Sequence, residues 1–485
     1  MGAGYRAMAL LIGAFAAGSP AALAEAPWPQ YSLDSGAGAA ASHGAATRAR
    51  APAGRAYSAQ TCPKQGELRP PATGRVGGAT VTAANADSCW QPLNENVTLL
   101  WPYESNDMAA DAMARAVQSA IPWIRSAYSS YLELFSASPA SIASRNGAGS
   151  IVVGLYPGIR TSGGTLGGFH RYEAADKRSV VYLSLDARAV SSGSGTPWAQ
   201  LRPHTIAHEM FHAFHYQTRR SGFEEPYRWL TEALADWAAK RVTDAAPIYT
   251  VTGGYIYHRA MGRFFEEVGN GLLSIRYPAH LFFHDQAVQH GDDRIKAILA
   301  AHLLGGRNAD ALGAADVRSN WHEFSKHLLN RPPWQRLQDT PRFPPDWDLA
   351  ANHRFDVASD TYCSDPEPMT MPPLSAQRVT IRLQARPKQL YLKVTFRSSG
   401  RDRSGLEWSA ALYPSGQPYS LATDAASLLC FSDAQPPCHG ALTLSATDRI
   451  ELILSNRNLD HTMRPHLQVC TLPSEMRGGT SRIDR

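Results

Sequence analysis

The sequence lacks several things that would have placed it quickly. None of its six cysteines forms a Cys-x-x-Cys pair, which argues against a cysteine-rich zinc site. Neither charge dominates: 47 basic and 42 acidic side chains leave +5, too little and too scattered for a nucleic-acid surface. No internal repeat is present. The apolar run Ala7 to Ala17 ends at Gly18-Ser19-Pro20, short of the ~20 residues that a membrane span needs. What remains is an ordinary folded composition, 44% hydrophobic and 18% charged over 485 residues. Collagen-like, disordered and multi-span membrane classes are excluded.

Residues 1–24 have the order of a secretory signal peptide: Arg6, the apolar run, then Ala22-Leu23-Ala24. The expectation is a secreted or periplasmic protein with no stable membrane anchor. All six cysteines follow this segment, so they predict three disulfides, with Cys62 joined to Cys89 and four cysteines stapling the C-terminal region. Residues 25–60 are Ala, Gly, Ser, Pro and Arg with almost no large apolar side chains, a linker or propeptide.

Residues 61–350 read as mixed α/β. Asn106-Asp107 can cap a helix running to Leu134, and residues 151–155 and 180–185 are apolar strand runs. The glycine-rich 162–168 between them reads as a mobile loop or hairpin. Residues 351–475 carry short alternating strands, at 379–383, 390–396 and 450–454, which predict a small β-sandwich ahead of a tail at 476–485. The overall expectation is an α+β protein.

One stretch carries chemistry. Pro203 opens a helical run in which His208 and His212 stand at i and i+4, so both imidazoles leave one face and can share a cation. Glu209 lies about 100° round the helix from His208, beside such a cation, where a base would sit. A second helical run, Trp229 to Trp237, places Glu232 and Asp236 at i and i+4 among small residues. Glu232 can supply a third ligand, and Asp236 can accept the free N–H of a ligand histidine. Two imidazoles and a carboxylate suit zinc and leave a position for water.

These residues resemble the gluzincin metallopeptidases, the thermolysin-like clan, whose His-Glu-x-x-His is followed by Glu-x-x-x-Asp on the next helix of the domain. Glu232 follows His212 by 20 positions, and the likeness is strongest over about 203–242. It implies a zinc peptidase with a small mixed sheet and site-bearing helices. His208, His212 and Glu232 would be the zinc ligands, Glu209 the general base and Asp236 the partner of His208. The strand at 180–185 would line the cleft and offer an edge to a protein or peptide substrate. Tyr277, opening a segment similar to the clan's later active-site helix, is the candidate oxyanion donor, with Tyr255 and Tyr257 as competitors. Gly-x-Met-Glu-Asn is absent, which argues against N-terminal trimming and for an endopeptidase.

Other readings stay open. His204 extends the i, i+4 series and could replace His212, although Thr205 then leaves no base beside it. His215 reads as an outer or surface histidine, and His280 with His284 as structural. His322 and His327, at i and i+5, diverge by about 140° and read as a solvated helix face. The competing functions are a catalytically weak metal-bearing binding module, whose sandwich docks a glycan or protein, and a zinc hydrolase of a non-peptide substrate.

Overall fold

The structure is a computed structural model. It describes residues 75–76, 79–81, 88–102, 110–142, 150–156, 158–161, 164–173, 177–185, 198–218, 228–243, 268–272, 275, 279–303, 311–313, 316–329, 349, 351–384, 389–396, 405–414, 420–423, 429–431, 442–443 and 447–471. The expected signal peptide, the linker and the tail lie outside them, as do Cys62, Tyr255, Tyr257 and Tyr277.

Five strands build the sheet beside the site: β1 (Ser88–Pro92), β2 (Val97–Pro102), β3 (Ile151–Tyr156), β4 (Gly168–Glu173) and β5 (Arg178–Ser184). Their order is β1-β2-β3-β5-β4. The central β2, β3 and β5 run parallel, while β1 and β4 are antiparallel to their neighbours. The apolar run Ile151 to Tyr156 is buried along its whole length, as a strand covered on both faces must be. Alternation on β5 divides its side chains. Val181 and Leu183 join the main core, whereas Val180 and Tyr182 join a second cluster with Phe169 and Tyr156.

The edge falls elsewhere than the sequence suggested. Residues 159–161 and 164–166 do pair as a hairpin, but the chain then continues into β4, which covers β5. The strand at 180–185 is therefore interior, and β4 is the outer strand among the described residues.

Six helices are used below: α1 (Ala110–Leu134), α2 (Trp198–Thr218), α3 (Arg228–Thr243), α4 (His280–His290), α5 (Asp292–Leu303) and α6 (Val317–His327). α2 begins five residues before Pro203, so the proline lies inside the helix rather than opening it, where it withholds one backbone donor. α2 is buried on nearly every side, with Ile206, Met210, Phe211 and Phe214 fully enclosed. The Tyr131 hydroxyl of α1 donates to the Ala207 carbonyl at 2.9 Å, and its ring meets Phe211 and Phe214 edge-on at 5.8 Å. α3 approaches closely because it presents Ala233, Ala235, Ala238 and Ala239, all buried. Gly291, at φ 76°, supplies the positive-φ link between α4 and α5 that a side chain would strain.

The C-terminal strands are β6 (Ala351–Val357), β7 (Ser375–Leu383), β8 (Gln389–Phe396), β9 (Leu406–Pro414), β10 (Thr447–Asn456) and β11 (Pro465–Thr471). One sheet runs β6-β7-β10-β9 and ends on Ser420–Thr423. The other places β11 beside β8, with short strands at its margins. Val379, Ile381, Ile450, Leu452, Leu467 and Val469 fill a shared core. Cys363 and Cys470 form a disulfide, as expected for the C-terminal region, and Cys89 is also disulfide-bonded.

The opposite face of the first sheet joins the helical region. Ala376, Ala411, Tyr413 and Ile453 belong to the same core as α2 and α3. α6 docks on this face. Trp321 donates from its indole to the Ser375 carbonyl at 3.0 Å, and His322 reaches the hydroxyls of Ser455 and Ser409 at 2.6 and 2.9 Å. His322 and His327 are thus buried, not solvated, because the face that carries them packs on a sheet.

Candidate metal centre

α2 and α3 lie side by side and bring three of the sequence-predicted residues to one point. His208 Nε2 is 3.1 Å from His212 Nε2 and 3.2 Å from Glu232 Oε2, and His212 Nε2 is 3.5 Å from that same oxygen. All three side chains are buried, and together they can hold a metal ion. The triangle has the dimensions that such an ion requires, since donors about 2.0–2.1 Å from a tetrahedral zinc stand roughly 3.3 Å apart.

The outer contacts orient the ring. His208 Nδ1 donates to Asp236 Oδ1 at 2.7 Å, which directs Nε2 at the triangle. His204 Nε2 donates to the same oxygen at 3.1 Å. His204, His208 and Asp236 thereby make a second group of metal-binding type, sharing His208 with the first. His215 is buried rather than superficial, with Nε2 3.0 Å from His302 Nδ1 on α5.

Glu209 sits apart from the triangle. Its side chain is fully buried, and neither carboxylate oxygen has a hydrogen-bond partner among the described residues. Burial lifts its pKa to about 7, against the pull of His208 and His212 and with a push from Glu232 and Asp236. Burial acts the same way on Glu232, but His212 and His208 override it and hold that carboxyl near 2. Asp236 is likewise depressed, by His208 and His204 against burial. His208 is held well above the ordinary histidine value: burial opposes its charge, and Asp236, Glu232 and Glu209 outweigh that.

β4 covers this site. Gly168, His170 and Tyr172 share the face turned to α2. A Cβ on Gly168 would stand 3.1 Å from Glu209 Cγ and 3.0 Å from the Tyr182 carbonyl, so the absence of a side chain lets Glu209 lie against the strand. The His170 ring is 6.3 Å from that of His212 and 4.9 Å from that of Tyr216. Burial, then His212, keeps His170 neutral. Sequence reading missed both residues. The alternation of small and ring side chains in 168–172 was the available signal, obscured by the glycines before it.

Of the predicted site residues, His208, His212 and Glu232 form the triangle, Asp236 bonds His208, and Glu209 lies close enough to feel the charges of all four; Tyr277 lies outside the described residues. His280 is buried on α4, and burial lowers His284 to about 4. Among the described residues no helix is long and apolar enough to cross a membrane.

No protein-family model matches the chain, and no curated protein does. Thirteen chains of solved structures match. One is a mutant of a periplasmic inhibitor of g-type lysozyme from Escherichia coli, 13% identical, covering 25% of this chain and 98% of that one with a TM-score of 0.16. At that score the likeness carries no argument about fold or function.

Proposed function

We propose that the chain is a secreted zinc peptidase of the thermolysin-like type, cutting peptide bonds within an extended substrate. The observation that carries the reading is the pairing of a zinc-sized triangle, His208, His212 and Glu232, with a buried Glu209 whose oxygens have no hydrogen-bond partner among the described residues. Two imidazoles and a carboxylate are the donor set of catalytic zinc sites. Zinc held there would supply Lewis acidity, acidifying a water and polarising the substrate carbonyl.

The chain's own residues do the rest. Glu209, as carboxylate, takes the proton of the attacking water on one oxygen and passes it to the leaving amine. Its burial favours the shuttle, since a carboxylate shielded from water takes up a proton more readily than an exposed one. Asp236 keeps the His208 ring in the tautomer that presents Nε2. β4, as the outer strand, takes an extended peptide by backbone pairing. Tyr277 retains its proposed role as oxyanion donor. A closed binding-module site would need a fourth protein ligand, and the two local histidines are turned elsewhere, His204 to Asp236 and His215 to His302.

The test is Glu209→Gln, with zinc content and peptide-library cleavage measured together. We expect zinc retained and turnover reduced by roughly 10²–10⁴-fold, the range of a lost general base. Full turnover in this variant, or zinc with no turnover in the native chain, overturns the reading.

A further inference from the structure

β4 carries a polar atom that the chemistry above does not use. His170 Nε2 is shielded from solvent and has no hydrogen-bond partner among the described residues. Folded chains seldom leave such an atom unpaired without a use for it. The metal is not that use, because neither group of potential ligand atoms includes His170.

Its position suggests the alternative. Gly168 lies over Glu209, and His170 follows two residues later on the same face, with its ring beside His212 and Tyr216. Two strand residues span about 6.7 Å, which is also the advance of two residues in an extended peptide paired alongside. A peptide paired alongside β4 with its reacting carbonyl level with Gly168, beside the triangle, therefore has its main chain level with His170 two residues further on.

Resting on the peptidase reading, we propose that His170 is a substrate-positioning residue whose Nε2 hydrogen-bonds the main chain of a peptide laid along β4, two residues from the bond that is cut. It rewards substrates that extend past the metal and is indifferent to the identity of their side chains. A short ligand reaching only the metal does not feel it.

The experiment uses the zinc-loaded full chain and two hydroxamates, acetohydroxamic acid and carbobenzoxy-Pro-Leu-Gly hydroxamate, with affinities measured by calorimetry. His170→Phe keeps a ring and removes both nitrogens; His170→Gln restores a polar group. Thermal melting checks that each variant is folded. We expect His170→Phe to weaken the peptidyl ligand by about tenfold, the worth of one hydrogen bond, with acetohydroxamic acid and zinc content unchanged. His170→Gln should recover part of the loss. Unchanged peptidyl affinity in His170→Phe overturns the proposal. So does an equal loss for both ligands, which would make His170 a support of the metal. If His170→Phe does not fold, His170→Ala, which likewise lacks a polar side-chain atom, is read by the same two criteria. A native chain that binds zinc and acetohydroxamic acid but gains nothing from the peptide overturns the peptidase reading itself, a result separable from the others.

Discussion

Two buried carboxylates of this chain live in opposite circumstances. Glu451, on β10, is fully enclosed, and Arg378 grips it with two bonds of 2.8 and 2.9 Å while the Thr380 hydroxyl adds a third at 2.7 Å. Arg449 stands at 3.2 Å. Glu209, on α2, is enclosed to the same degree and has no such partner among the described residues. The first carboxylate is finished by its own chain and belongs to the scaffold. The second is left with its acceptor capacity unspent, a condition that costs stability and makes sense where something else must arrive.

Breaking the finished site should have the larger effect. Glu451→Gln removes the charge that Arg378 and Arg449 share, and disruption of a buried pair costs about 3–5 kcal/mol. Urea denaturation should register that loss, while zinc content of the folded fraction stays the same. Glu209→Gln should behave the other way, with stability kept or raised and turnover lost.

Three smaller perturbations sharpen the contrast from the metal side. Asp236→Asn replaces the charged acceptor that fixes His208 with a neutral amide and should weaken zinc by about 10–100-fold in competition with a chelator, the usual range for an outer partner. The next effect concerns pH. His208 has a raised pKa in the metal-free fold, so its protonated form contributes stability fully below the unfolded histidine value and loses it as pH rises through the folded one. A metal ion held by His208 must displace that proton, so its affinity should fall by about tenfold per pH unit below the folded pKa. Calorimetry in buffers of different ionisation enthalpy should find one proton released per ion. The smallest effect belongs to Gly168→Ala. The new methyl would press on Glu209 Cγ and the Tyr182 carbonyl, and we expect turnover to drop by several-fold with zinc affinity unchanged.

Much of the centre was legible because its chemistry depends on helical spacing. His208 with His212, and Glu232 with Asp236, are each one turn apart, and a turn is a local property. The strands at 151–156 and 178–184 were legible for a similar reason, as apolar runs bounded by turn residues. Sheet order was not. Whether residues 178–184 lie at an edge depends on where 168–173 pair, and the preceding glycines give no hint of that. His322 was misread for the same cause: a helix face with two histidines, a glutamate and a lysine looks wet until a sheet with serines is laid against it. Pro203 misled because a proline most often opens a helix, whereas α2 runs through it at the cost of one backbone bond.

The shared packing of Trp321 and Ile453 bears on how this molecule can be taken apart. A sandwich hung from a linker could be trimmed away or swapped for another module with little harm to the rest. Here the first sheet closes the underside of the helical layer, so deleting everything after residue 350 would strip a wall from the core that holds the histidines.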